Sequence, residues 1–419
     1  MPEMMDSGIE WVGLCPSHWE IMANKYIMKK IKEVKTKYAG EDILSLTMNG
    51  VIVRDLDAGG KMPTTFDGYQ TLYPNNLLMC LFDYDVTPRC IGLIKNNGVC
   101  SPAYSQFMMK NDNCAEYYYY YYLMIDNTKE LLHLAKNLRH SFTEEQLGSI
   151  NAPVPPIEEQ KAIAKVLDDK CFEIDALVTD IQSEIETLEE YKKSIIFQTI
   201  CHGINGDIQM KRTDSDVWSE IPVNWELKDI KYMFEIVKRI AGKEGFDVLS
   251  VTQRGLKVKD ITSGDGQLAD SYSGYQFVYP SDYVMNHMDL LTGWVDLSTM
   301  FGVTSPDYRV FRLRDKTNNS LDYYKYVMQC CYMNKIFYSL GQGVSNLGRW
   351  RLQTSSFNNF KIPVPPTKEQ TVIADYLNYV IEETNAIIDA KKEQLETLEE
   401  YKKSVIYEYV TGKKEVPLS

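Results

Sequence analysis

The sequence predicts two globular domains of mixed α/β (α+β) structure, separated by two long antiparallel coiled-coil helices. The octapeptide TLEEYKKS occurs at residues 187–194 and again at residues 397–404. Both copies lie in stretches whose apolar residues recur every three or four positions, which is coiled-coil spacing. Short alternating segments such as GVIVRD and GLKVKD, divided by Gly, Asn and Pro, indicate strands and turns elsewhere. The chain is therefore expected to have an internal pseudo-two-fold repeat.

The repeat extends far beyond the octapeptide, and the offset between its two copies drifts from 204 to 210 residues. Insertions have therefore accumulated in the globular parts, whereas the helical parts align without a gap. The matching segments are PVPP-x-x-EQ (153–160 and 363–370), P-x-x-WE (16–20 and 222–226), GYQ-x-x-YP (68–74 and 274–280) and GV-x-SP-x-Y (98–104 and 302–308). The predicted domains are 1–152 and 206–362, with helical spacers at 153–205 and 363–419.

Each spacer is predicted to be one helix of about 40 residues, roughly 60 Å long at 1.5 Å per residue. The prolines of PVPP end the secondary structure that precedes each helix, because proline has no N–H donor. Thr367 and Gln370 have the spacing of a capping box for the second helix. Gly203 and Gly412 are suitable helix ends.

The apolar stripes of these helices need a partner. They pair with each other in one interpretation, and each packs on its own globular domain in the other. Pairing is favoured by the similar length and spacing of the stripes. Because a folded domain connects the two helices, an antiparallel pair is the easier geometry.

The tyrosine-rich stretches, EYYYYYYLMI at 116–125 and DYYKY at 322–326, are each predicted to form a helix packed on a sheet. A platform for stacking nucleic-acid bases is the alternative. Consecutive side chains on a helix point in different directions, so a mainly buried helix is the favoured interpretation.

The net charge of −13 over 419 residues is concentrated in the two helical stretches. Residues 157–200 and 367–410 together carry a net charge of −11, and the rest of the chain carries −2. No apolar run of 18 residues and no basic, signal-like N-terminus is present, so no membrane span or export is expected. Nine cysteines without a C-x-x-C pair indicate reduced thiols and a cytoplasmic location.

The sequence offers little that indicates catalysis. It has no phosphate-binding loop of the G-x-x-x-x-G-K-[ST] type, and GQG at 341–343 continues as a loop and not as a dinucleotide-binding turn. The five histidines are scattered, and none belongs to an HExxH motif. No catalytic residue, metal ligand or cofactor of the chain itself is therefore predicted.

Polar and basic loop residues remain as candidates for DNA contact in each copy. Arg reads guanine, Asn and Gln read adenine, and Lys mainly neutralises phosphate. The alternative is that these are ordinary residues of solvated loops. The candidates are Thr47, Asn49, Arg54, Lys61, Arg89, Lys95, Asn96 and Asn97 in the first copy, and Gln253, Arg254, Lys257, Lys259, Gln342, Ser345, Asn346, Arg349 and Arg351 in the second.

Two globular halves, each followed by a PVPP-x-x-EQ segment and an acidic TLEEYKKS helix, resemble the specificity (S) subunits of Type I restriction–modification enzymes. The resemblance covers essentially the whole chain and includes the P-x-x-WE, GYQ-x-x-YP and GV-x-SP-x-Y segments. It implies that each half is a target recognition domain reading one half of a split double-stranded DNA sequence.

The resemblance further implies that the helices set the gap between the half-sites and bind two methyltransferase (M) subunits. S-adenosylmethionine would then be bound by these partners, and ATP and Mg²⁺ by restriction (R) subunits that cleave DNA. The chain itself would be a non-catalytic subunit of this complex.

Two other classes of protein are considered. An acidic DNA mimic that inhibits other enzymes would account for the charge of −13, but its carboxylates would be spread over the surface like phosphates. A coiled-coil scaffold would account for the helices, but it would leave two large matched domains without a role.

Overall fold

The structure, a computed structural model, describes residues 3–57, 63–135, 140–204, 206, 208–261, 269–343 and 350–417. The chain divides into two compact units. Unit 1 comprises Met1–Ile181 and Lys392–Ser419, and unit 2 comprises Gln182–Lys391. Each unit thus contains one globular domain and parts of both long helices, so the compact units cut each helix in two. The predicted domain boundaries treat the helices as separate spacers and stay a prediction.

The first globular domain is built from short strands and a few helices, followed by a long helix that extends into unit 2. Its strands are β1 (Met4–Asp6), β2 (Leu14–Pro16), β3 (Glu20–Ala23), β4 (Met28–Ile31), β5 (Leu44–Thr47), β6 (Gly50–Val53), β7 (Gln70–Leu72), β8 (Leu77–Met79), β9 (Ile91–Leu93), β10 (Gly98–Cys100), β11 (Ser105–Met109) and β12 (Asn151–Val154). Its helices are α1 (Asn24–Ile27), α2 (Ala115–Thr128), a 3₁₀ helix (Glu130–Leu134), α3 (Glu144–Ser149) and α4 (Ile157–His202).

The second globular domain repeats this order. Its strands are β13 (Met210–Arg212), β14 (Glu220–Pro222), β15 (Glu226–Asp229), β16 (Phe234–Val237), β17 (Leu249–Thr252), β18 (Gly255–Val258), β19 (Gln276–Val278), β20 (Tyr283–Met285), β21 (Val295–Leu297), β22 (Gly302–Thr304), β23 (Arg309–Leu313) and β24 (Lys361–Val364). Its helices are α5 (Ile230–Met233), α6 (Leu321–Met333), α7 (Ile336–Ser339), α8 (Thr354–Asn359) and α9 (Thr367–Val410), which extends into unit 1.

A four-stranded antiparallel sheet lies at the centre of each globular domain. The strand order is β4-β11-β8-β9 in the first domain and β16-β23-β20-β21 in the second. Smaller two-stranded elements surround each sheet in the same pairings, including the hairpins β5-β6 and β17-β18 and the ribbons β7-β10 and β19-β22. The predicted fold class, with its internal repeat, is confirmed.

The tyrosine-rich helices α2 and α6 belong to the cores. Tyr117, Tyr118 and Tyr121 are buried in the first domain, as are Tyr323 and Tyr324 in the second. Their hydroxyl groups need acceptors when buried, since an unpaired polar group in the core costs free energy. Tyr118 Oη donates to Pro153 O at 3.2 Å, and Tyr323 Oη donates to Pro363 O at the same distance. Burial of these rings rules them out as a base-stacking platform.

The long helices pair through their apolar stripes within each unit. In unit 1, Leu167, Cys171 and Ile174 of α4 are buried, as are Val405 and Tyr409 of α9. Lys402 Nζ of α9 binds Asp175 Oδ1 of α4 at 2.6 Å.

In unit 2, the ends of the paired segments fix their direction. Lys391 pairs with Glu184 near one end. Gly203, just after the end of α4, lies beside Glu369 at the beginning of α9. The two segments of unit 2 are therefore antiparallel.

The alternative position of the stripes, against the globular domains, is also observed at the start of each helix. Ile163 and Ala164 join the core of the first domain, and Ile373 and Ala374 join the core of the second. The stripe thus packs first on its own domain and then on the other helix.

The segments that revealed the repeat meet at the junction between sheet and helix. The strand after P-x-x-W pairs with the PVPP strand in both copies: Glu20 lies opposite Val154, and Glu226 lies opposite Val364. The acidic residue of the EQ pair reaches back to the P-x-x-W turn. Glu159 Oε2 is 2.9 Å from His18 Nε2, and Glu369 Oε2 accepts from Asn224 Nδ2 at 3.1 Å.

The glutamine of the EQ pair fastens the long helix to the tyrosine helix. Gln160 Oε1 accepts from the backbone N–H of Cys114 at 2.9 Å, and its Nε2 donates to Pro155 O at 2.8 Å. Gln370 makes the same two contacts with Ser320 N and Pro365 O, both at 2.9 Å.

We call the two backbone hydrogen bonds of each glutamine the glutamine clamp. The prediction of a capping box at Thr367 is wrong, because the Gln370 side chain forms this clamp and does not cap the helix. Thr367 Oγ1 donates to Asn318 O at 2.7 Å. The predicted helix ends are confirmed, since Gly203 and Gly412 follow the helices with φ of 75° and 71°.

The nine cysteines are free thiols, and all but Cys114 are buried. Across the described ranges, no helix is both long and apolar enough to cross a membrane. Within the same ranges, no group of three or more His, Cys, Asp or Glu side chains is arranged to hold a metal ion.

Candidate nucleic-acid interface

The hairpins β5-β6 and β17-β18 present candidate residues on the same backbone scaffold. Thr47 Oγ1 donates to Gly50 O at 3.1 Å and accepts from Asn49 N at 3.1 Å. Thr252 Oγ1 repeats this with Gly255 O at 2.9 Å and Arg254 N at 3.1 Å. The glycines close both turns with φ of 89° and 99°, which a side chain would strain.

Both hairpins are held against the central sheet. A Cβ at Gly92 of β9 would overlap the side chains of Leu46 and Val51, so the missing side chain lets the first hairpin approach closely. In the second domain, Leu256 N donates to Asp296 Oδ2 of β21 at 2.8 Å. The turns therefore project from a fixed support.

A basic residue follows each hairpin at the same structural position. Arg54 N donates to Ile43 O, and Lys259 N donates to Val248 O, both at 2.7 Å. Lys257 lies on the exposed side of β18, opposite Ser250. A cation therefore recurs at one position of both domains, and its contact with DNA stays a prediction.

The loop between β9 and β10 carries Lys95, Asn96 and Asn97, all exposed. The corresponding loop of the second domain carries the aromatic Phe301, which stacks on Phe277 at 5.7 Å. The two domains thus share the loop but differ in its chemistry.

Arg89 is engaged inside its own domain. Its Nε lies 3.9 Å from Asp126 Oδ2, a buried oxygen that also accepts from Cys90 N at 2.9 Å. Lys129 Nζ binds the other oxygen of Asp126 at 2.7 Å. These contacts give Arg89 a structural role, and its contact with DNA stays a prediction.

Gln342 and Arg351 face each other across a two-bond backbone bridge, with N–O distances of 3.0 and 3.1 Å. The neighbouring Trp350 stacks on Tyr338, with 5.2 Å between the ring centroids. A Cβ at Gly341 or Gly343 would overlap the Trp350 ring. The GQG segment therefore serves tryptophan packing. The candidates Lys61, Ser345, Asn346 and Arg349 lie outside the described residues.

A buried cation supports this bridge from inside the second domain. The Arg309 guanidinium donates to Leu352 O at 3.1 Å and lies 4.5 Å from the Phe357 ring centroid. Burial lowers the pKa of Arg309 to about 10. Burial, followed by the charges of Arg309 and Arg351, lowers the pKa of His287 to about 3, so this imidazole is neutral at pH 7.

One repeated feature was missed by the sequence analysis. Tyr26 and Tyr232 are 58% and 67% exposed, and a lysine lies over each ring: Lys25 and Lys231, both 5.1 Å from the ring centroid. The signal was available, because Lys-Tyr recurs at an offset of 206 beside the P-x-x-WE segments. Exposed residues that repeat together suit a contact made identically by both domains.

The outer faces of the long helices also carry repeated apolar residues. In unit 1, Leu177 and Tyr401 are each 51% exposed, and the Asp175–Lys402 ion pair places them near one level of the helix pair. In unit 2, Ile387 and Tyr191 are each 47% exposed. Each unit thus presents a matched aliphatic and tyrosine side chain among acidic residues, and Phe172 in unit 1 and Tyr379 in unit 2 are exposed as well, at 77% and 65%. Such exposed apolar residues are unusual for a fully solvated helix.

Comparisons with known proteins agree with this architecture. The family model of the Type I restriction modification DNA specificity domain matches residues 80–187 and 222–397. The Type I restriction enzyme MjaVIII specificity subunit of Methanocaldococcus jannaschii is 25% identical over 63% of this chain. The putative type I restriction enzyme MjaX specificity subunit of the same organism is 24% identical over 65% of it. The matches span 62% and 61% of the lengths of these relatives.

The likeness in fold extends over nearly the whole chain. A chain from a structure on complex assembly and conformational transition of the type I R-M system superposes with a TM-score of 0.69. It covers 96% of this chain and 99% of its own length at 12% identity, so it supports the fold alone. With the family model matching both halves, the protein belongs to the family of Type I restriction–modification DNA specificity subunits.

Proposed function

We propose that this chain is the sequence-reading, non-catalytic subunit of a Type I restriction–modification complex. Each globular domain reads one half of a split double-stranded DNA target. The long helices bind two methyltransferase subunits, and restriction subunits join the same complex. S-adenosylmethionine, ATP and Mg²⁺ are bound by those partner subunits, whereas this chain selects the DNA site.

The observation that carries the proposal is the pattern of matches and differences between the two domains. The sheets, hairpins and clamps repeat, whereas exposed residues at the hairpin turns and in the loop 95–97 do not. Two copies of one scaffold with different exposed polar side chains suit two readers of different base sequences. Repeated cations such as Arg54 and Lys259 suit the phosphates common to any sequence.

The helices support the second part of the proposal. The exposed pair Leu177 and Tyr401 in unit 1 corresponds to Ile387 and Tyr191 in unit 2. A surface that occurs twice suits two copies of one partner. The acidic residues around each pair favour a protein partner, because like charge repels the DNA backbone.

The experiment combines the purified chain with its methyltransferase partner, labelled S-adenosylmethionine and genomic DNA, and maps the methylated adenines. We expect methylation at one split motif with a fixed gap, dependent on this chain. Methylation that does not change when the chain is left out contradicts the proposal. Inhibition of unrelated DNA enzymes by the chain alone supports an acidic DNA mimic instead.

A further inference from the structure

The exposed turns of the two matched hairpins differ in chemistry but not in backbone geometry. Thr47 and Gly50 in the first domain, and Thr252 and Gly255 in the second, hold their turns with the same hydrogen bonds. The residues between them are Met48 and Asn49 in one hairpin and Gln253 and Arg254 in the other. At the tips themselves, the two hairpins differ in both of these side chains.

The tip side chains are available to a ligand. Asn49 and Arg254 are exposed, and each uses its backbone N–H, and not its side chain, to close the turn. Among the residues that the structure describes, neither the Asn49 amide nor the Arg254 guanidinium has a protein partner. By contrast, Arg89 is held by Asp126. A side chain that the fold does not use has its full hydrogen-bonding capacity for another molecule.

The shape of the support fits the major groove. A two-stranded β-ribbon is narrow enough to enter this groove, where each base pair shows a distinct set of donors and acceptors. Both hairpins are two-stranded ribbons of four residues per strand, with register Leu44–Val53 and Leu249–Val258. The basic residue after each ribbon, Arg54 or Lys259, lies at the end away from the tip. With the tip in the groove, this residue would lie near the phosphates along the groove edge.

The chemistry of the two side chains then assigns different bases. The Asn amide donates and accepts at once and pairs with N7 and the N6 amino group of adenine. The Arg guanidinium only donates and pairs with N7 and O6 of guanine. Lys257, on the flank of the second hairpin, corresponds in register to Ile52 of the first.

Resting on the proposed function, we infer that Asn49 and Arg254 are specificity-determining residues in the two half-sites. Asn49 reads an adenine in one half-site, and Arg254 reads a guanine in the other. Each reads one base pair, from the equivalent position of a hairpin with the same backbone pairing.

The test changes one tip at a time in the full chain, bound to its methyltransferase partner. N49R is expected to change the preferred base from adenine to guanine at one position of one half-site. R254N is expected to make the opposite change in the other half-site. Each new preference is expected to be roughly 5- to 150-fold, the range for one good bidentate contact.

The readout is selection of bound fragments from a random DNA library, together with methylation mapping of genomic DNA. Library selection does not require turnover, so it reports on variants that bind but methylate poorly. Where Arg is too long for the first half-site, N49A gives the same information, because the adenine preference should be lost at that position alone.

I52R is the matched control. It places the same guanidinium on the same hairpin, at the position that Lys257 occupies in the second domain. It is expected to raise affinity for all sequences and to leave the motif unchanged. A motif change with I52R equal to that with N49R contradicts base reading by the tip.

Failure of the inference is distinct from failure of the proposed function. If the wild-type complex selects a split motif and folded N49R, N49A and R254N select the same motif, the two residues are not base readers although the chain still reads DNA. If the wild-type complex selects no motif, the proposed function itself is wrong.

Discussion

Replacing Gln160 or Gln370 with leucine should loosen the junction between a globular domain and its long helix. Both glutamines are almost fully buried, at 1% exposure. Leucine is similar in volume but removes two hydrogen bonds to the backbone. In Q160L these are the bonds to Cys114 N and Pro155 O, and in Q370L those to Ser320 N and Pro365 O.

The magnitude follows from the groups left without partners. A buried backbone N–H or C=O that loses its partner costs about 1–3 kcal/mol. Two such groups give about 2–6 kcal/mol, partly offset by the more apolar side chain, so we expect a loss of about 3 kcal/mol in each variant. That is a large share of the stability of an ordinary domain, which is about 5–15 kcal/mol.

The measurement is urea denaturation, combined with hydrogen–deuterium exchange of the peptides that contain Cys114 or Ser320. Exchange should rise at Cys114 in Q160L and at Ser320 in Q370L. The control variants K161L and T371L place the same leucine on the next, exposed position of each helix and should change stability by less than about 0.5 kcal/mol. Folded Q160L and Q370L proteins that lose under 1 kcal/mol, without faster exchange, would refute the clamp.

Three further predictions concern pH, spacing and partner binding. Because the pKa of His287 falls from 6.5 to about 3 on folding, the unfolded chain binds more protons below pH 6.5, and stability falls as pH decreases. Urea titrations should show wild type losing about 2 kcal/mol between pH 7.5 and 5 that H287L does not lose. Inserting one heptad after residues 181 and 391 lengthens each helix by about 10.5 Å, so methylation mapping should show a gap about three base pairs longer with the same half-sites. A change in the half-sites would count against separate reading and spacing roles. L177K and I387K should each weaken binding of one methyltransferase subunit about tenfold. The reason is that about half of the surface of each apolar side chain is exposed and would be buried on docking, where lysine would lose its hydration. Mass photometry should then show that the double variant loses both subunits; retention of both would contradict helix docking.

The sequence predicted well what depends on local pattern. The 3-4 spacing of apolar residues indicated the long helices, and Gly203 and Gly412 marked their ends because only glycine adopts a positive φ freely. The burial of Tyr117 and Tyr323 followed from the direction of consecutive side chains on a helix. The duplication gave the strongest evidence, because it provided an internal alignment of one domain with the other.

The sequence failed where one pattern has two physical uses. Thr367 and Gln370 have the spacing of a capping box, but Gln370 is used to join two helices whose meeting depends on the fold of the domain. GQG was expected only to be a loop, and nothing in its sequence indicated that its glycines make room for the ring of Trp350. Arg89 stays a candidate for DNA contact, but the sequence did not indicate its ion pair with Asp126, a buried carboxylate 37 positions further along the chain.

By itself, the sequence determined that this protein is a tandem repeat of one α/β unit joined by acidic, coiled-coil-forming helices. Spacing and composition are enough for this, because helix periodicity and burial preference act over a few residues. Only the tertiary structure decided that each long helix is shared between two compact units, and which polar side chains remain unused at the hairpin tips. Both depend on which residues far apart in the sequence come into contact, and a local sequence pattern does not determine such contacts.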